Sequence, residues 1–247
     1  MNIAIIGDTH FGARNDNVNF SEYFYKFYEE QFFPYLKENN IKHCIHLGDI
    51  MDRRKYVSYR TVKEFREKFI QPFIDLKVEL HVLVGNHDTY FKNTNEVNSV
   101  TELIGNRYKN VKIYPEAKES TFDDLSVLFL PWINSSNHAS TMKTIEQSRA
   151  DMCMGHLEIA GFEMMKGIKN EHGYDKSLFA KFDSVFSGHF HHKSDDGQIY
   201  YLGSPYEFYW NDCDDKKGFH IFDTKTRTLE RIINPRTIHK KIYYDDT

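Results

Sequence analysis

Residues 2–10 read Asn2-Ile3-Ala4-Ile5-Ile6-Gly7-Asp8-Thr9-His10, an apolar run closed by glycine and then by polar side chains. A short, continuous apolar segment ending in glycine predicts a buried strand, and glycine permits a sharp turn at its exit. The same plan recurs downstream. Apolar segments lead into Gly48-Asp49-Ile50-Met51-Asp52, Gly85-Asn86-His87-Asp88, Gly155-His156 and Gly188-His189-Phe190-His191. A single Gly-His or Gly-Asp is commonplace, and a hydrogen-bonded structural residue explains it. The repeated series predicts side chains gathered over one sheet edge, where open α/β sheets bind ligands.

Around these strand ends the chain alternates. Ser21–Asn39 places Tyr23, Phe24, Phe27, Tyr28, Phe32 and Tyr35 at helical spacing, with Ser21 as cap and Pro34 as a kink or stop. Lys42–Leu47 and Glu79–Val84 read as strands, and Ser58–Leu76 as a helix. Thr94–Ile104 reads as another helix, with Val97, Val100, Leu103 and Ile104 on one face. Further strands are expected at Val111–Tyr114, Ser126–Leu130, Ala150–Met154, Ser184–Phe186 and Gln198–Leu202, with a helix around Ser140–Gln147. Gly218–Phe222, Thr228–Ile233 and Lys240–Tyr244 read as antiparallel strands separated by turn residues. Strands in both halves with flanking helices predict an α/β fold, a four-layer αββα sandwich of two mixed sheets face to face. No linker or internal repeat interrupts it, so residues 1–247 are expected to form one domain.

Composition narrows the class. The 247 residues are 40% hydrophobic and 28% charged, a globular profile. The apolar runs are too short to cross a bilayer, and Met1 leads straight into a strand without a secretory signal. Membrane and secreted readings are excluded on these grounds, and a cytoplasmic protein is expected. Cys44, Cys153 and Cys213 are widely spaced and lack CxxC spacing, which fits reduced thiols, the first two packed as small hydrophobes. Lys plus Arg number 32 against 36 Asp plus Glu, a formal charge of −4 that weighs against a polyanionic partner.

The strand-end residues change that balance. Asp8 and His10 lie two apart, as do His189 and His191, so extended backbone points each pair the same way. Carboxylate, imidazole and amide oxygen suit Mn, Fe or Zn, whereas a structural zinc site would bring thiolates. Asp8, His10, Asp49, Asn86, His156, His189 and His191 exceed the donors one ion ordinarily uses. They suit two ions sharing a carboxylate at about 3.5–4 Å. Two divalent cations would cancel the formal −4 and make that edge of the sheet positive.

The ordered set Asp8-x-His10, Gly48-Asp49-x-x-Asp52, Gly85-Asn86-His87-Asp88, Gly155-His156 and Gly188-His189-x-His191 resembles the calcineurin-like metallophosphoesterase superfamily. Tyr201-Leu202-Gly203-Ser204-Pro205, Lys217-Gly218-Phe219 and Leu130-Pro131-Trp132 resemble its SbcD-type DNA-repair nuclease branch, in interval length its T-even phage members. The resemblance covers nearly the whole chain. It implies Asp8, His10, Asp49 and His191 around one ion, and Asp49, Asn86, His156 and His189 around the other. It makes His87 the catalytic histidine, able to protonate the departing sugar oxygen. It also implies Mn (Mg, Fe and Zn being alternatives), hydroxide attack on a DNA phosphodiester, 3′-to-5′ exonuclease action on duplex ends and single-strand endonuclease action. The setting it implies is recombination, repair and replication, in bacterial host cytoplasm if phage-encoded.

Where several cellular nucleases carry a second histidine, this chain has Asp52. Gly-Asp-x-x-Asp-Arg also resembles protein phosphatases, in which that aspartate orients the catalytic histidine. Asp52 is accordingly expected either to pair with His87 or to cap the next turn. Arg53 and Arg54 are candidates for DNA phosphate, against the commoner reading of solvated arginines. Lys55, Arg60, Lys63, Arg66 and Lys68 load one helix with positive charge, interleaved with Glu64 and Glu67.

By resemblance the partners are DNA, a second copy packed through 58–76 and 94–104, and an SbcC-like coiled-coil ATPase subunit. The family's capping and ATPase-binding regions are expected to be absent, because the last core strands close near residue 247. Tyr206, Phe208 and Trp210 are the aromatics expected nearest a substrate. His192 breaks the alternation and should point away from the ions. His43, His46, His81, His138, His172, His220 and His239 have no ligand-like setting. Two rival functions stand beside the nuclease: a phosphatase or small-molecule phosphodiesterase, and a non-catalytic protein-binding scaffold.

Overall fold

The computed structural model describes residues 1–245, apart from the side chain of Asn106. Its strands in chain order are β1 (Asn2–Ile6), β2 (His43–His46), β3 (Glu79–Leu83), β4 (Val111–Tyr114), β5 (Lys118–Phe122), β6 (Leu125–Leu130) and β7 (Met152–His156). They continue as β8 (Glu163–Met165), β9 (Ile168–Lys169), β10 (Ser184–Gly188), β11 (Ser194–Asp195), β12 (Ile199–Tyr201), β13 (Gly218–Asp223) and β14 (Leu229–Ile233). The first six-stranded sheet runs β14-β13-β1-β2-β3-β4, parallel from β1 to β4 and antiparallel at β13 and β14. The second runs β11-β12-β10-β7-β6-β5, parallel at its centre with antiparallel edges, and β8-β9 form a separate hairpin.

Strand alternation explains the unbroken apolar runs. Ile3, Ile5, Ile45, Leu47 and Leu83 face the second sheet and pack with Phe129, Met152, Met154 and Phe186. Ala4, Ile6, Cys44, Leu80 and Val82 face the other way, onto Phe24, Phe27, Phe32, Phe65, Phe69 and Phe73 of the helices. The second sheet buries Leu128, Cys153 and Val185 against Ile145, Phe179 and Phe182. The layers are those of an αββα sandwich. Strands buried on both faces have no polar side to show, which is why they read as continuous rather than alternating.

The helices differ in detail from expectation. The first starts at Val18, capped by the Asn17 side chain rather than by Ser21, and runs Val18–Phe27, Tyr28–Phe32, Phe33–Glu38. Its middle turn is π-helical, with the Phe33 N–H bonded to Tyr28 O just before Pro34. The same device precedes Pro72: a π turn at Arg66–Ile70 joins Tyr59–Phe65 to Gln71–Asp75. Proline has no N–H to donate and crowds the carbonyl four residues back. A residue inserted into the preceding turn lets each helix pass its proline without stopping.

The helix expected over 94–104 is only Ser99–Leu103, capped by Asn98. Asn95 spends its amide on Pro115 O and Trp132 O, which holds the preceding residues in a turn, and Val97 is exposed. Residues 240–244 form no strand; Ile242, Tyr243 and Tyr244 are exposed, beyond main-chain contacts from Ile238 and His239 to Glu207. Strand β5 was hidden by its polar Glu119, Ser120 and Thr121 at a sheet edge. Cys44, Cys153 and Cys213 are free and buried. Among the described residues no helix is long and apolar enough to cross a membrane.

Candidate metal centre

β1, β2, β3, β7 and β10 end beside one another, and the candidate donors sit on or just past those ends. Main-chain bonds knit the exits together, from Asp8 N to Gly48 O at 3.0 Å and from His10 N to Asp49 O at 3.1 Å. His46, buried beneath them, accepts from Gly48 N on Nδ1 at 3.2 Å. Its Nε2 therefore carries the proton and donates to Thr9 Oγ1 at 3.0 Å. Asp88 accepts from Gly85 N, Ile50 N, Met51 N and Ser99 Oγ, which ties the β2 exit to the β3 exit. Neither role was assigned from sequence, although Asp88 closes the Gly85-Asn86-His87-Asp88 motif.

All of the expected donors converge. Asp8, His10 and His191 offer ligand atoms within 4.8 Å of one another, and so do Asp49, His156 and His189. Asn86 Oδ1 lies 2.9 Å from His156 Nε2 and 3.0 Å from His189 Nδ1. Asp49 stands between the groups, its Oδ2 3.3 Å from His156 Nε2 and 3.7 Å from His10 Nε2. His10 and His191 point their Nε2 atoms at each other across 3.0 Å, an arrangement that leaves two lone pairs in opposition unless a proton or cation lies between. His10 Nδ1 is buried without a hydrogen bond. Oxygen and imidazole donors gathered without thiolates fit hard or borderline divalent cations.

The backbone is strained where the donors sit. Asp8 (φ 52°), His10 (φ 43°), Asp49 (φ 54°) and His189 (φ 86°) all adopt left-handed conformations. Such non-glycine outliers cost of order 1–3 kcal/mol each, persist only where the surrounding structure over-determines them, and cluster at functional sites. Glycine at two exits is required by close approach. A Cβ on Gly85 would lie 2.2 Å from Asp49 N and Oδ1, and one on Gly48 would lie 2.7 Å from His156 Nδ1.

Electrostatics follow from burying acids among imidazoles. Burial and then Asp49 raise Asp8 to about 7, against His156 and the His189 amide. Burial pushes Asp49 up as well, but His156 and His10 outweigh it and hold the carboxyl well below the usual range. Against its own burial, His156 is raised to about 9 by Asp49. Burial with neighbouring charge lowers His189 (facing His156) and His191 (facing Lys217) to about 3, and His10 well below its ordinary value. Most of the imidazoles are therefore neutral near pH 7, the form that binds metal.

His87 lies at the mouth, its ring edge-on to His10 at 4.8 Å between centroids. Its main-chain N–H donates to Asp49 Oδ1 at 2.7 Å. Its Nδ1 is 2.6 Å from the main-chain oxygen of Asp52, while the Asp52 carboxylate is 3.6 Å from His10 Nδ1. Arg53 is paired with Asp16 and Asn15 and stacks over Tyr56, and Arg54 donates to Thr89 Oγ1. His192 points away as expected, to Asp215 and Glu163.

Two of the expected substrate aromatics are instead core. Tyr206 and Phe208 are buried because the chain after Pro205 dives beneath the donors rather than running along the surface. Tyr206 donates to Thr9 O, and Phe208 packs 5.3 Å from the His10 ring and 5.2 Å from that of His191. Tyr209 and Trp210 remain exposed. Trp132, at the end of the Leu130-Pro131-Trp132 segment, places its ring 5.1 Å from that of His189. Lys217 is buried and donates to His191 O at 2.8 Å while pairing with Asp212 and Asp215. A cavity of about 270 Å³ opens beside His189 and His191, lined also by Met164, Tyr209 and Asn211.

Known proteins resemble the chain in sequence and in fold. Exonuclease subunit 1 of Enterobacteria phage T4 is 35% identical over 247 residues, covering 99% of this chain and 71% of that protein. In fold alone, GAP50, the anchor in the inner membrane complex of Plasmodium, superposes with a TM-score of 0.52 at 12% identity, over 96% of this chain and 90% of its own. An archaeal phosphodiesterase reaches a TM-score of 0.46 at 17% identity, over 95% and 100% of the two chains. The calcineurin-like phosphoesterase family matches residues 1–193, and with the donors of five strand ends meeting at one edge, the chain belongs to that family.

Proposed function

We propose that the chain is a divalent-metal-dependent DNA nuclease, and the observation that carries the reading is the convergence of six donors on Asp49, the seventh, with His87 beside it. The 35% identity to a protein named as an exonuclease subunit supports DNA as the substrate. Asp8, His10, Asp49 and His191 would hold one cation, and Asp49, Asn86, His156 and His189 the other. Bound there, the cations supply a water of lowered pKa and positive charge for the phosphate oxygens. Manganese is the metal we favour.

The chain's own groups do the rest. The Asp49 carboxylate ties the two donor groups together, its Oδ2 3.3 Å from His156 Nε2 and 3.7 Å from His10 Nε2. The Asp52 carbonyl can only accept, so His87 Nδ1 carries a proton and Nε2 is left for the substrate. Protonated on Nε2 as well, the ring would stabilise the developing charge and give that second proton to the leaving sugar oxygen, returning to the neutral form with Nδ1–H still on the Asp52 carbonyl. We read the activity as 3′-to-5′ removal from duplex ends and cleavage within single strands, in recombination and repair. By the same resemblance the working assembly is a homodimer with an SbcC-like ATPase.

A phosphatase or small-molecule phosphodiesterase is the runner-up, since both would use the same donors. A scaffold is disfavoured, because a protein that only binds proteins gains nothing from strained, converging donors. The test is Mn-dependent digestion of end-labelled duplex and single-stranded DNA by wild type and His87→Ala, beside bis-p-nitrophenyl phosphate and its monoester. Cleavage of DNA that disappears with His87 supports the nuclease. Cleavage of the monoester alone would overturn it.

A further inference from the structure

The opposite edge of the first sheet carries a second group of metal-type donors. His43 and Glu79 are paired at the starts of β2 and β3, and His81 follows on the same face of β3. His81 Nε2 lies 2.9 Å, and His43 Nδ1 3.6 Å, from Glu79 Oε1. All three atoms fall within 4.8 Å of one another. The strand starts lie at the end of the sheet remote from Asp49, so this group is separate from the centre already described.

Three features argue for a ligand here. First, the facing nitrogens, His43 Nδ1 and His81 Nε2, are buried atoms that close no well-formed hydrogen bond. His81 as a residue is 1% exposed, so its Nε2 has no access to bulk water. Second, the spacing of each imidazole from Glu79 suits a tetrahedral ion. Metal–donor bonds of about 2.0–2.2 Å put adjacent ligands about 3.4 Å apart, between the 2.9 and 3.6 Å found here. Third, His81 is oriented as a metal-binding histidine needs to be. Its Nδ1 lies 2.8 Å from Tyr114 Oη, and an Nδ1–H donated there leaves the Nε2 lone pair toward Glu79. Phe122 closes over both rings, at 5.6 and 5.0 Å.

We propose that His43, Glu79 and His81 form a binding site for a zinc-class divalent cation, with solvent in the fourth position. Two imidazoles and one carboxylate select Zn, Co, Ni or Cu over Mg or Ca. Burial keeps His81 at about 4 and lowers His43, so both are neutral and able to coordinate at neutral pH. Lys112 is the competitor, its Nζ 2.8 Å from Glu79 Oε1. It is half exposed and free to swing aside, and an exposed pair of this kind contributes little. The site would clip β2 to β3 at the end where no catalytic ligand does.

The test is zinc stoichiometry on the whole chain, dialysed against buffered Zn²⁺ and measured by elemental analysis. His43→Gln and Glu79→Gln should each bind one equivalent fewer than wild type and lose the matching part of the zinc-induced rise in Tm. His43 and Glu79 are partly exposed, so both variants should fold, which circular dichroism checks. Tyr114→Phe should weaken that equivalent about tenfold, and Lys112→Ala should tighten it about two- to fivefold. The same zinc content in wild type, His43→Gln and Glu79→Gln would overturn the proposal. So would an equivalent lost only when Asp49 or His156 is replaced.

Discussion

His87 Nδ1 is held at 2.6 Å by the main-chain carbonyl of Asp52, a bond that the identity of the Asp52 side chain does not decide. The carboxylate itself is turned toward His10, 3.6 Å away, and burial raises its pKa. Asp52→Asn should therefore keep His87 in place and reduce DNA cleavage less than about tenfold, against the ~10²–10⁴ expected from losing a positioned acid–base group in His87→Ala. Pre-steady-state cleavage at saturating Mn²⁺ separates the two. Equal losses would mean that the carboxylate acts directly.

Asp49 stands between the two donor groups, its Oδ2 3.3 Å from His156 Nε2 and 3.7 Å from His10 Nε2. Asp49→Asn should weaken both manganese equivalents, whereas His189→Ala should weaken one. Each occupied site adds about 2.7 kcal/mol of stability when free metal is 100 times its Kd. Manganese should thus raise the Tm of His189→Ala by about half the wild-type increment, and that of Asp49→Asn hardly at all. Each increment is read against the same variant's own midpoint in chelator, because Asp49→Asn also breaks the buried pairing with His156.

Gly85 gives a prediction about shape rather than charge. A Cβ there would sit 2.2 Å from Asp49 N and Oδ1, and no rotation relieves a clash with main chain. Gly85→Ala should abolish manganese binding and cleavage while the sheets stay folded. Gly167→Ala is the control. Nothing lies within 4 Å of it, so only its φ of +77° is penalised, at about 1–2 kcal/mol. Manganese titration followed by circular dichroism tells loss of the site from loss of the fold.

The strand ends were legible because each buried strand had to stop at a glycine that its neighbours crowd. Asp8, His10, Asp49, Asn86, His156, His189 and His191 thus declared themselves by position and chemistry. What supports them did not. Lys217 lies 26 residues from the His191 carbonyl that it holds, and nothing local distinguishes a buried lysine from a solvated one. Tyr206 and Phe208 alternate like a surface strand, and only the fold shows that the chain turns inward there. The π turns before Pro34 and Pro72 were hidden because helical periodicity survives one inserted residue. His43, Glu79 and His81 are brought together by strand register, a property of the sheet and not of any one segment.

Lys217 neutralises Asp212 and Asp215 in the interior while fixing the carbonyl of His191. Lys217→Met should cost about 3–5 kcal/mol, since it strands two acids that lose their counter-charge. Adding Asp212→Asn and Asp215→Asn should recover a good part of it. Urea unfolding of the single and triple variants measures the recovery. Its absence would mean that the lysine's bond to His191, not its charge, carries the stability.

His220 lies in β13, buried between the sheets with its Nε2 unbonded. Burial, followed by Arg231 and Lys193, lowers its pKa from 6.5 to about 3. The sign follows from which state binds the proton. Above pH 6.5 the ring is neutral folded or unfolded and contributes no pH dependence. Below it the unfolded chain takes up a proton that the folded chain refuses, so stability falls as pH drops toward 3, by at most about 1.4 kcal/mol per pH unit. His220→Gln removes that proton uptake and leaves the metal centre untouched. Measured in chelator between pH 6.5 and 4.5, the wild type should lose more stability than His220→Gln, by about 2 kcal/mol over the interval. Parallel curves would mean that His220 is protonated in the folded protein and that the space around it admits water.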